Sequence, residues 1–337
     1  MLFSIIMPVY NAEQFLEKSI QSVFAQTHPE WELLLLNDGS RDRSNEIITK
    51  YAATDSRIRA FSHKNMGVSN TRNRGIEEAK GDYILFVDAD DELDARTLDK
   101  IYRTLQEVES DVIVFNAYRC DLNSNVTGVF TSPLSEQVLY LNGEKDKRDY
   151  IYSILASDKP FGFCWNFAVK RMVLEDVRFP TDMIMCEDLI FDIRMYEKAT
   201  SIICLPDCFY FYRDNPSGCV RNFNFRKIED LKKAYEAKLN LIEKYNLQQQ
   251  KAATVFFCMS IVSFYFSILE DSKLCKQYLK TVREDGYVLK QFELSRELQC
   301  TQVNSAGRIL FGNVFQRMYL RFLYVAKRKI KRLLKLQ

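Results

Sequence analysis

Three carboxylates lie within four residues of the sequence, at Asp88, Asp90 and Asp91. They follow the apolar run 83–87, whose length and composition predict a buried β-strand. Because like charges at this spacing repel one another, a fold tolerates them best beside a divalent cation or in a solvated loop. Mg²⁺ and Mn²⁺ prefer such oxygen ligands, together with phosphate and water. The cluster therefore predicts a metal site shared with a phosphorylated ligand, with a solvated helix cap as the alternative.

A second acidic pair, Glu187 and Asp188, opens a run whose apolar spacing predicts a helix to about Lys198. One interpretation is that the pair contains a catalytic base. The other is that acids in a first helical turn stabilise the positive end of the helix dipole, by about 0.3–1 kcal/mol. Since acidic first turns are common, the pair alone favours the second interpretation.

The Cys and His content excludes several other kinds of site. The nine Cys include no C-x-x-C pair, which is typical of reduced thiols in a cytoplasm. The only two His, His28 and His63, exclude a His-rich zinc site and argue against a Ser-His-Asp triad. The chain has 337 residues, of which 47% are hydrophobic, so it is long enough to bury one large core or two smaller ones.

The elements that must position these residues alternate along the first 118 residues. Short apolar runs predict strands at 2–7, 31–36, 58–61, 83–87 and 112–115. Amphipathic runs between them predict helices at 13–26, 43–53, 69–79 and 95–108. This alternation predicts an α/β fold with a mostly parallel sheet and helices on both faces. Because ligands of such sheets bind outside the carboxyl ends of the strands, the polar residues after each strand are the candidates.

Four segments that follow predicted strands share their order and spacing with one known family. They are Pro8-Val9-Tyr10-Asn11, Asn37-Asp38-Gly39-Ser40, Asn65-Met66-Gly67-Val68-Ser69 with Arg72-Asn73, and Asp88-Ala89-Asp90-Asp91. In these motifs the chain resembles the family 2 glycosyltransferases, closely over residues 1–118 and more sparsely to about 220. The resemblance implies the Rossmann-like GT-A fold, with a nucleotide-sugar-binding and catalytic domain over 1–220. A helical C-terminal region, 221–337, is expected to follow it.

The resemblance also implies a role for each residue of the motifs. The nucleotide-sugar donor, expected to be a UDP-sugar, would contact Pro8, Val9, Tyr10, Asn11, Asp38, Asn65, Arg72, Asp88 and Ala89. Of these, Asp38 would hold the uracil or ribose, Arg72 would lie near the base or diphosphate, and Asp88 would lie near the ribose. Asp90 would bind the Mn²⁺ or Mg²⁺ that bridges the two phosphates. Asp91 would assist at the sugar or hold the loop.

Later motifs of the family give the acceptor side of the site. An acidic pair followed by apolar residues and an Arg marks the catalytic base in the family, which implies that role for Asp188, with Glu187 beside it. A single base opposite the leaving group implies inversion at the anomeric carbon. Trp165 and Asn166 are expected to form a wall of the acceptor or sugar pocket, unless their segment is a core strand or helix. Arg213 stands near the place where many relatives carry a His, so we expect it to contact phosphate directly.

Helical patterns dominate the rest of the chain, at 228–245, 252–269, 274–284 and from about Asn313. The run 252–269 is uncharged and 18 residues long, so both a buried helix and a membrane-contacting one stay open. At the other end of the chain, the first residues lack the basic leader of a signal peptide.

Charge is distributed unevenly between the tail and the rest of the chain. Residues 298–337 contain nine Lys and Arg and no acid, so 1–297 carry 38 Lys and Arg against 45 Asp and Glu. The basic residues lie opposite an aromatic and aliphatic face on a helical wheel, which suits an anionic membrane surface. The alternatives are a core helix with a solvated basic face and a nucleic-acid-binding tail, which no binding motif supports. We therefore expect a cytoplasmic protein, peripheral on the inner face of the cell membrane, that binds no nucleic acid.

The resemblance extends to the acceptor, because bacterial relatives of this size often extend lipid-linked glycans for cell-surface polysaccharides. One rival activity is sugar-1-phosphate nucleotidyl transfer, which would need a Gly-rich phosphate loop after the first strand. The segment from Pro8 to Asn11 is not such a loop. The other rival is a catalytically silent, membrane-associated nucleotide-sugar-binding scaffold. The sequence leaves open the donor sugar, the linkage, the metal and the oligomeric state.

Overall fold

The computed structural model describes residues 1–131, 139–143, 145–146, 148–151, 163–215, 223–269, 271–300, 303 and 310–311. Internal contacts divide the chain into two compact units, Met1–Ser217 and Gly218–Gln337. All strands among the described residues belong to the first unit, and the described elements of the second are helices.

Ten strands of the first unit form one mixed sheet. In chain order they are β1 Phe3–Val9, β2 Trp31–Asn37, β3 Ile58–Ser62, β4 Tyr83–Phe86, β5 Glu92–Leu93, β6 Val112–Cys120, β7 Val126–Phe130, β8 Leu139–Asn142, β9 Phe167–Lys170 and β10 Ser201–Arg213. Their order across the sheet is β3-β2-β1-β4-β9-β6-β10-β5, with β7 beside β6 and β8 beside β10. The five strands predicted from the sequence are all present, as β1 to β4 and β6.

Helices cover both faces of this sheet. They include α1 Leu16–Phe24, α2 Ser44–Ala52, α3 Val68–Glu78, α4 Thr97–Glu107 and α5 Glu187–Lys198. Each lies within about three residues of its predicted bounds. Since successive side chains of a strand point to opposite faces, β1 contributes to two cores. Ile5 packs in the core that includes α1, α2 and α4, and Ile6 packs in the one that includes α3 and α5.

Helix α3 approaches β1 closely because Gly75 has no side chain. A Cβ at Gly75 would lie 2.4 Å from Ile6 Cγ2, well inside van der Waals contact. This approach matters for function because α3 begins within the third predicted motif, at Val68, and includes Arg72.

Strand β9 is the main departure from a parallel sheet. The pairs among β1 to β4 are parallel as predicted, and β6 also pairs parallel with β10, a strand that the sequence analysis does not predict. In contrast, β9 runs antiparallel between β4 and β6, and β5, β7 and β8 also pair antiparallel. The sequence does not reveal β9 because a four-residue apolar run is too short to establish a period.

A buried carboxylate fixes the amino end of the central strands. Glu32 of β2 accepts hydrogen bonds from Ser4 Oγ and from the Lys80 N–H, both at 2.6 Å. Its second carboxylate oxygen accepts from Arg59 Nη1 at 3.1 Å. Ser4 Oγ in turn accepts from the Gly81 N–H at 2.7 Å. This polar node ties β1, β2 and β3 to the turn that precedes β4.

Replacing Glu32 should destabilise the first unit. We expect Glu32→Ala to cost about 2 to 4 kcal/mol, because buried donors lose their acceptor. Both tryptophans, Trp31 and Trp165, lie in this unit, so urea unfolding followed by Trp fluorescence reports on it. Glu17→Ala is the matched control: its exposed pair with Lys50 should leave the unfolding midpoint nearly unchanged. Equal midpoints for the two variants would show that the node does not stabilise the sheet.

The second unit contains α6 Arg226–Lys244, α7 Gln250–Ser267, α8 Ser272–Glu284 and α9 Gly286–Glu297. The hydroxyl of Tyr235 in α6 donates to Gln291 Oε1 of α9 at 2.9 Å and lies 3.0 Å from Thr254 Oγ1 of α7. Helix α7 contains most of the uncharged run, and it buries one side, including Phe257 and Ile261. Across the described residues, no helix has the length and apolarity needed to span a bilayer. The basic helix predicted from Asn313 lies outside the described residues.

Candidate active site

The carboxyl ends of β1 and β2 bring the first two motifs together. The Asp38 N–H donates to the carbonyl of Val9 at 2.9 Å. The Asn11 N–H donates to Ser40 Oγ at 3.0 Å, and Asn11 Oδ1 accepts from the Arg41 N–H at 2.8 Å. Asn11 has a φ of 50°, in the left-handed region that Asn adopts more readily than most residues. These bonds lock the first two loops into one surface.

Within that surface, Tyr10 is an exposed aromatic side chain, with 49% of its area accessible. Pro8 lies inside β1, in register with Leu36 of β2, and the side chain of Val9 is fully buried. The side chain of Val9 therefore cannot contact a nucleotide, whereas that of Pro8 is partly exposed. A contact of Tyr10 with the uracil stays a prediction.

The carboxylate of Asp38 is engaged with its own neighbours. It accepts from the N–H groups of Met66 at 2.6 Å and Gly67 at 3.0 Å, and one oxygen lies 3.3 Å from His63 Nε2. Asn65 Nδ2 donates to the Asp38 carbonyl at 3.1 Å. Gly67 has a φ of 88°, where an L side chain would be strained, directly before α3. Asp38 thus shapes the third loop, and contacts of Asp38 and Asn65 with a nucleotide stay predictions.

The acidic loop begins with Asp88 and Ala89, directly after β4. The Asp88 N–H donates to the hydroxyl of Tyr210 at 3.1 Å, which links the loop to β10. Ala89 is buried, and its carbonyl accepts from Ser19 Oγ of α1 at 2.9 Å. The loop is therefore supported from the sheet and from one helix.

Asp91 holds this loop in place. Its carboxylate accepts from the Tyr210 hydroxyl at 2.8 Å and from the Arg213 N–H at 2.7 Å. Burial raises the pKa of Asp91 well above its usual range, and the charges of Asp90 and Asp88 add to that. Of the two roles expected for Asp91, the geometry favours holding the loop over contact with the sugar.

Asp90 is the carboxylate of the loop that suits an added cation. Its Oδ2 accepts from Asn215 Nδ2 at 2.9 Å. Burial raises the pKa of Asp90, and the charge of Asp88 raises it further. A divalent cation would offset both effects. In the part of the chain that the structure describes, no three Asp, Glu, His or Cys side chains are grouped to hold a metal by themselves. Mg²⁺ often binds through one or two carboxylates plus substrate phosphate, so the residues fit a cation shared with a diphosphate.

The side chain of Arg213 braces the same loop through hydrogen bonds. It is buried, and its Nε donates to the carbonyl of Asp90 at 2.7 Å. Its Nη1 donates to the Leu122 carbonyl and to Ser124 Oγ, at 3.1 and 3.0 Å, while Nη2 pairs with Glu92. All three guanidinium nitrogens thus bond to protein groups. A phosphate contact by Arg213 stays a prediction.

Trp165 belongs to an aromatic stack beneath the acidic loop. Its ring lies 4.7 Å from Tyr210, at 12°, and 4.8 Å from Phe163, at 20°, and it is buried. The carbonyl of Asn166 accepts from the Phe115 N–H at 3.0 Å. Trp165 and Asn166 line a cavity of only about 10 Å³, which has room for a water molecule but not for a sugar. Their expected contact with a sugar stays a prediction, and the stack instead supports Tyr210.

The catalytic candidates meet at a buried guanidinium. Arg72 of α3 is 4% exposed, and its Nη1 donates to Asp188 Oδ1 at 2.6 Å. Its Nη2 donates to Asp88 Oδ1 at 2.9 Å. Glu187 Oε1 lies 3.5 Å from Nη1. The acidic loop after β4 and the first turn of α5 are therefore parts of one site, as the motifs predict.

The environment of Asp188 raises its pKa to about 7. Burial is the largest cause, and the charges of Glu187 and Asp88 add to it. Arg72 and a hydrogen bond from the thiol of Cys164 act in the opposite direction. A carboxyl group that titrates near neutral pH can accept a proton from a hydroxyl group and release it again, which suits a general base.

Two further side chains of the site escape prediction from the sequence. Cys164, next to the predicted Trp165, is buried, and burial raises the pKa of its thiol well above the usual range. Asp192 is buried one turn after Asp188 on α5, and burial likewise raises its pKa well above normal. The four-residue spacing within a predicted helix could have signalled Asp192. No local signal marks Cys164.

A cavity with a volume of about 730 Å³ lies elsewhere among the described residues. Its lining includes Asp111 and Ser201, at the amino ends of β6 and β10, so it opens at the sheet edge opposite the acidic loop. Its two lysines already pair with acids of the lining, and it contains none of the predicted site residues. The acid-lined surface around Arg72 stays the candidate site.

Known proteins are similar to this chain in sequence and in fold. Residues 4–178 match the family described as Glycosyl transferase family 2. EpsJ of Bacillus subtilis, an uncharacterized glycosyltransferase, is 30% identical over 249 residues, which are 73% of this chain and 71% of EpsJ. TuaG of B. subtilis, a glycosyltransferase named for teichuronic acid biosynthesis, is 36% identical over 107 residues, which are 32% of this chain and 42% of TuaG.

A solved structure extends the likeness to the fold. The crystal structure of S. aureus TarS 1-349 in complex with UDP-GlcNAc matches with a TM-score of 0.62 and 22% identity, over 84% of this chain and 80% of that one. The expected GT-A fold and the helical region after it are thereby confirmed. With its motifs gathered at one edge of that fold, the chain belongs to the family 2 glycosyltransferases.

Proposed function

We propose that this glycosyltransferase moves a sugar from a UDP-sugar to a hydroxyl group of a glycan acceptor, with inversion at the anomeric carbon. One observation carries the proposal. A single guanidinium, that of Arg72, joins the acidic loop after β4 to a carboxyl group, Asp188, whose pKa is raised to about 7. A group for the leaving diphosphate and a base for the acceptor thus lie in one site. UDP is favoured because TarS has been crystallised with UDP-GlcNAc in the same fold.

In the proposed step, the acceptor oxygen attacks the anomeric carbon as the bond from that carbon to the diphosphate breaks. The electron pair of the broken bond leaves with the diphosphate, and the hydroxyl proton passes to the carboxylate of Asp188. We assign Glu187 a supporting role, since its Oε1 lies 3.5 Å from the guanidinium that holds Asp188. With one base and no independent nucleophilic carboxylate, a single displacement with inversion follows.

Asp90 is our candidate for the ligand of a Mg²⁺ or Mn²⁺ ion. When bound, such an ion would supply Lewis-acid neutralisation of the charge that grows on the diphosphate. The chain's own contribution is to hold the Asp90 backbone still, through the Arg213 bond to its carbonyl, and to orient its carboxylate through Asn215. Asp91 holds the same loop from within.

For the acceptor we propose a lipid-linked glycan of a cell-surface polysaccharide, reached from the cytoplasmic face of the membrane. The name of TuaG, given for teichuronic acid biosynthesis, supports a polysaccharide product. The basic tail, 298–337, supports a peripheral position on an anionic leaflet.

A nucleotide-sugar-binding scaffold without catalysis is the second candidate. It would need the donor surface but no base. The short 2.6 Å bond between Arg72 and Asp188, and the raised pKa of Asp188, favour the enzyme, since a scaffold has no use for a buried carboxyl group that titrates near 7.

Removing the proposed base separates these candidates. Asp188→Asn keeps the shape of the side chain but cannot accept the proton, so we expect UDP release from the donor to fall by about 100- to 10,000-fold. Stabilisation of the variant by UDP, measured as a thermal shift, should persist. Asp207→Asn, at an exposed carboxylate on β10, is the control and should keep wild-type turnover. Undiminished turnover in Asp188→Asn would exclude Asp188 as the base.

The metal assignment has its own test. UDP with Mn²⁺ should raise the melting temperature of the wild-type chain more than UDP alone, because ligands that bind the folded state stabilise it by mass action. Asp90→Asn should lose the Mn²⁺-dependent increment and keep the increment from UDP alone. Asp99→Asn, an exposed acid of α4 that pairs with Arg103, is the matched control. An unchanged Mn²⁺ increment in Asp90→Asn would rule out Asp90 as the metal ligand.

The membrane assignment can be tested with vesicles. The full chain should float with vesicles that contain an anionic lipid, and salt should weaken the association. Removal of residues 314–337 should abolish flotation. A second variant, Arg317→Gln with Arg321→Gln and Arg328→Gln, keeps the apolar face and should weaken flotation strongly. Flotation equal to wild type in both variants would refute a membrane role for the tail.

A further inference from the structure

Arg72 is enclosed by acids on the two sides of the site. Its Nη1 contacts Asp188 at 2.6 Å and Glu187 at 3.5 Å, and its Nη2 contacts Asp88 at 2.9 Å. The planar group also lies over the ring of Phe179, with its centre 5.3 Å from the ring centroid. Both ends of the guanidinium fork are therefore occupied by carboxylates of the protein.

The ring of Phe179, over which Arg72 lies, is held in place by Asn73, the next residue of α3. Asn73 Nδ2 donates to the carbonyl of Phe179 at 2.9 Å, and Asn73 Oδ1 accepts from the Phe179 N–H at 2.8 Å. This reciprocal pair ties α3 to the segment that carries the stacking ring. Arg72 is thus positioned by its neighbours as well as by its ion pairs, and a swing toward another ligand would break several contacts at once.

The resemblance places Arg72 near the base or diphosphate of the donor, whereas its contacts point to the acceptor side. We propose that Arg72 is a positioning residue for Asp188, which it holds ionised and correctly oriented to receive the acceptor proton, and that it is not a phosphate ligand. This inference rests on the proposed function for the identity of the base. It deepens that function by assigning the residue that makes the base usable.

Every charged or titratable group recorded around Asp188 is consistent with this assignment. Glu187 on the same helix and Asp88 from the β4 loop both disfavour its ionised form. Asp192, one turn along α5, is itself buried and has a raised pKa, to which Asp188 contributes. Cys164 donates a hydrogen bond to Asp188, but the pKa of this thiol is raised, so it offers no charge. Arg72 is therefore the cation that counteracts the effect of burial on the pKa of Asp188.

The size of the effect can be stated from general behaviour. An opposite charge within about 4–6 Å lowers the pKa of a carboxyl group by about 1–3 units. Without Arg72, the pKa of Asp188 should rise by that amount from its value of about 7. Each unit would cost about tenfold in the ionised fraction at neutral pH. A lost phosphate ligand, in contrast, would weaken donor binding at every pH.

The decisive measurement is direct titration of Asp188 by ¹³C NMR, in protein labelled at the aspartate carboxyl carbons. Asp188→Asn identifies the signal. We expect a midpoint near pH 7 in the wild-type chain and a midpoint higher by about 1–3 units in Arg72→Gln. The acid limb of kcat/KM for UDP release should move by the same amount, so that activity partly recovers at high pH. Stabilisation by UDP should stay at the wild-type level.

Arg72→Lys keeps the test available if Arg72→Gln does not fold. Lys keeps the charge but loses the planar fork that bridges Asp88 and Asp188. We expect its Asp188 midpoint to stay near the wild-type value, with a lower kcat and little change in KM for the donor. Loss of UDP stabilisation in either variant, with an unmoved Asp188 midpoint, would overturn the inference in favour of a phosphate ligand.

Failure of the proposed function would look different. If Asp188→Asn turned over the donor like wild type while Arg72→Gln still moved the Asp188 midpoint, Arg72 would govern this carboxyl group without Asp188 being the base. If Asp188→Asn lost turnover and the Asp188 midpoint did not move in Arg72→Gln, the assignment of Asp188 as the base would be supported and the positioning role of Arg72 would be refuted.

Discussion

Burial of several carboxyl groups beside a single guanidinium is the constraint on which this site depends. Arg72 faces Asp88, Glu187 and Asp188, and the excess negative charge has a cost that only a rigid setting can sustain. That setting is visible in the close approach of α3 to β1 at Gly75 and in the reciprocal bonds of Asn73 with Phe179. The ion cluster therefore depends on the packing of α3. If this helix lay further from the sheet, the guanidinium of Arg72 would move away from its acidic partners.

The sheet topology explains why the acids of two distant segments meet. Parallel strands β1, β2 and β4 end at the same edge, so their loops converge there. Helix α5 ends at Lys198, just before the amino end of β10, and β10 runs parallel to β6. The other end of α5, which begins with Glu187 and Asp188, is thereby directed toward the carboxyl edge. The antiparallel strand β9 completes this path, since it returns the chain between β4 and β6 before α5 begins.

Local patterns were enough to predict strands β1 to β4 and β6 and helices α1 to α5, because the period and the length of an element can be read from consecutive residues. The same patterns located the acidic loop and the acidic pair at the start of α5, whereas a base at Asp188 was implied by the resemblance and stays a prediction. No local pattern showed the bond between Arg72 and Asp188, which lie 116 residues apart. The expected contacts of Arg213 with phosphate and of Trp165 with a sugar stay predictions. The structure adds that Arg213 braces a loop and that Trp165 stacks on Tyr210. These contacts depend on long-range neighbours, which no short stretch of sequence contains.

The acids of this site are all carboxyl groups, and they differ mainly in how exposed their side chains are. This difference in exposure separates the roles that the individual acids can have. Asp91 is 1% exposed and is satisfied by Tyr210 and the Arg213 backbone, so it serves the loop. The side chain of Asp188 is 17% exposed, which is enough burial to raise its pKa to about 7 and enough access to meet a hydroxyl group. Asp88, at 29%, is the most open of the three and contacts Nη2 of Arg72. Because desolvation alone would neutralise Asp188 and full exposure would leave it a weak base, the role that we propose for it at neutral pH depends on an intermediate position beside a fixed cation. The tight packing of α3 against β1 supplies both the intermediate position of Asp188 and the fixed position of the Arg72 cation.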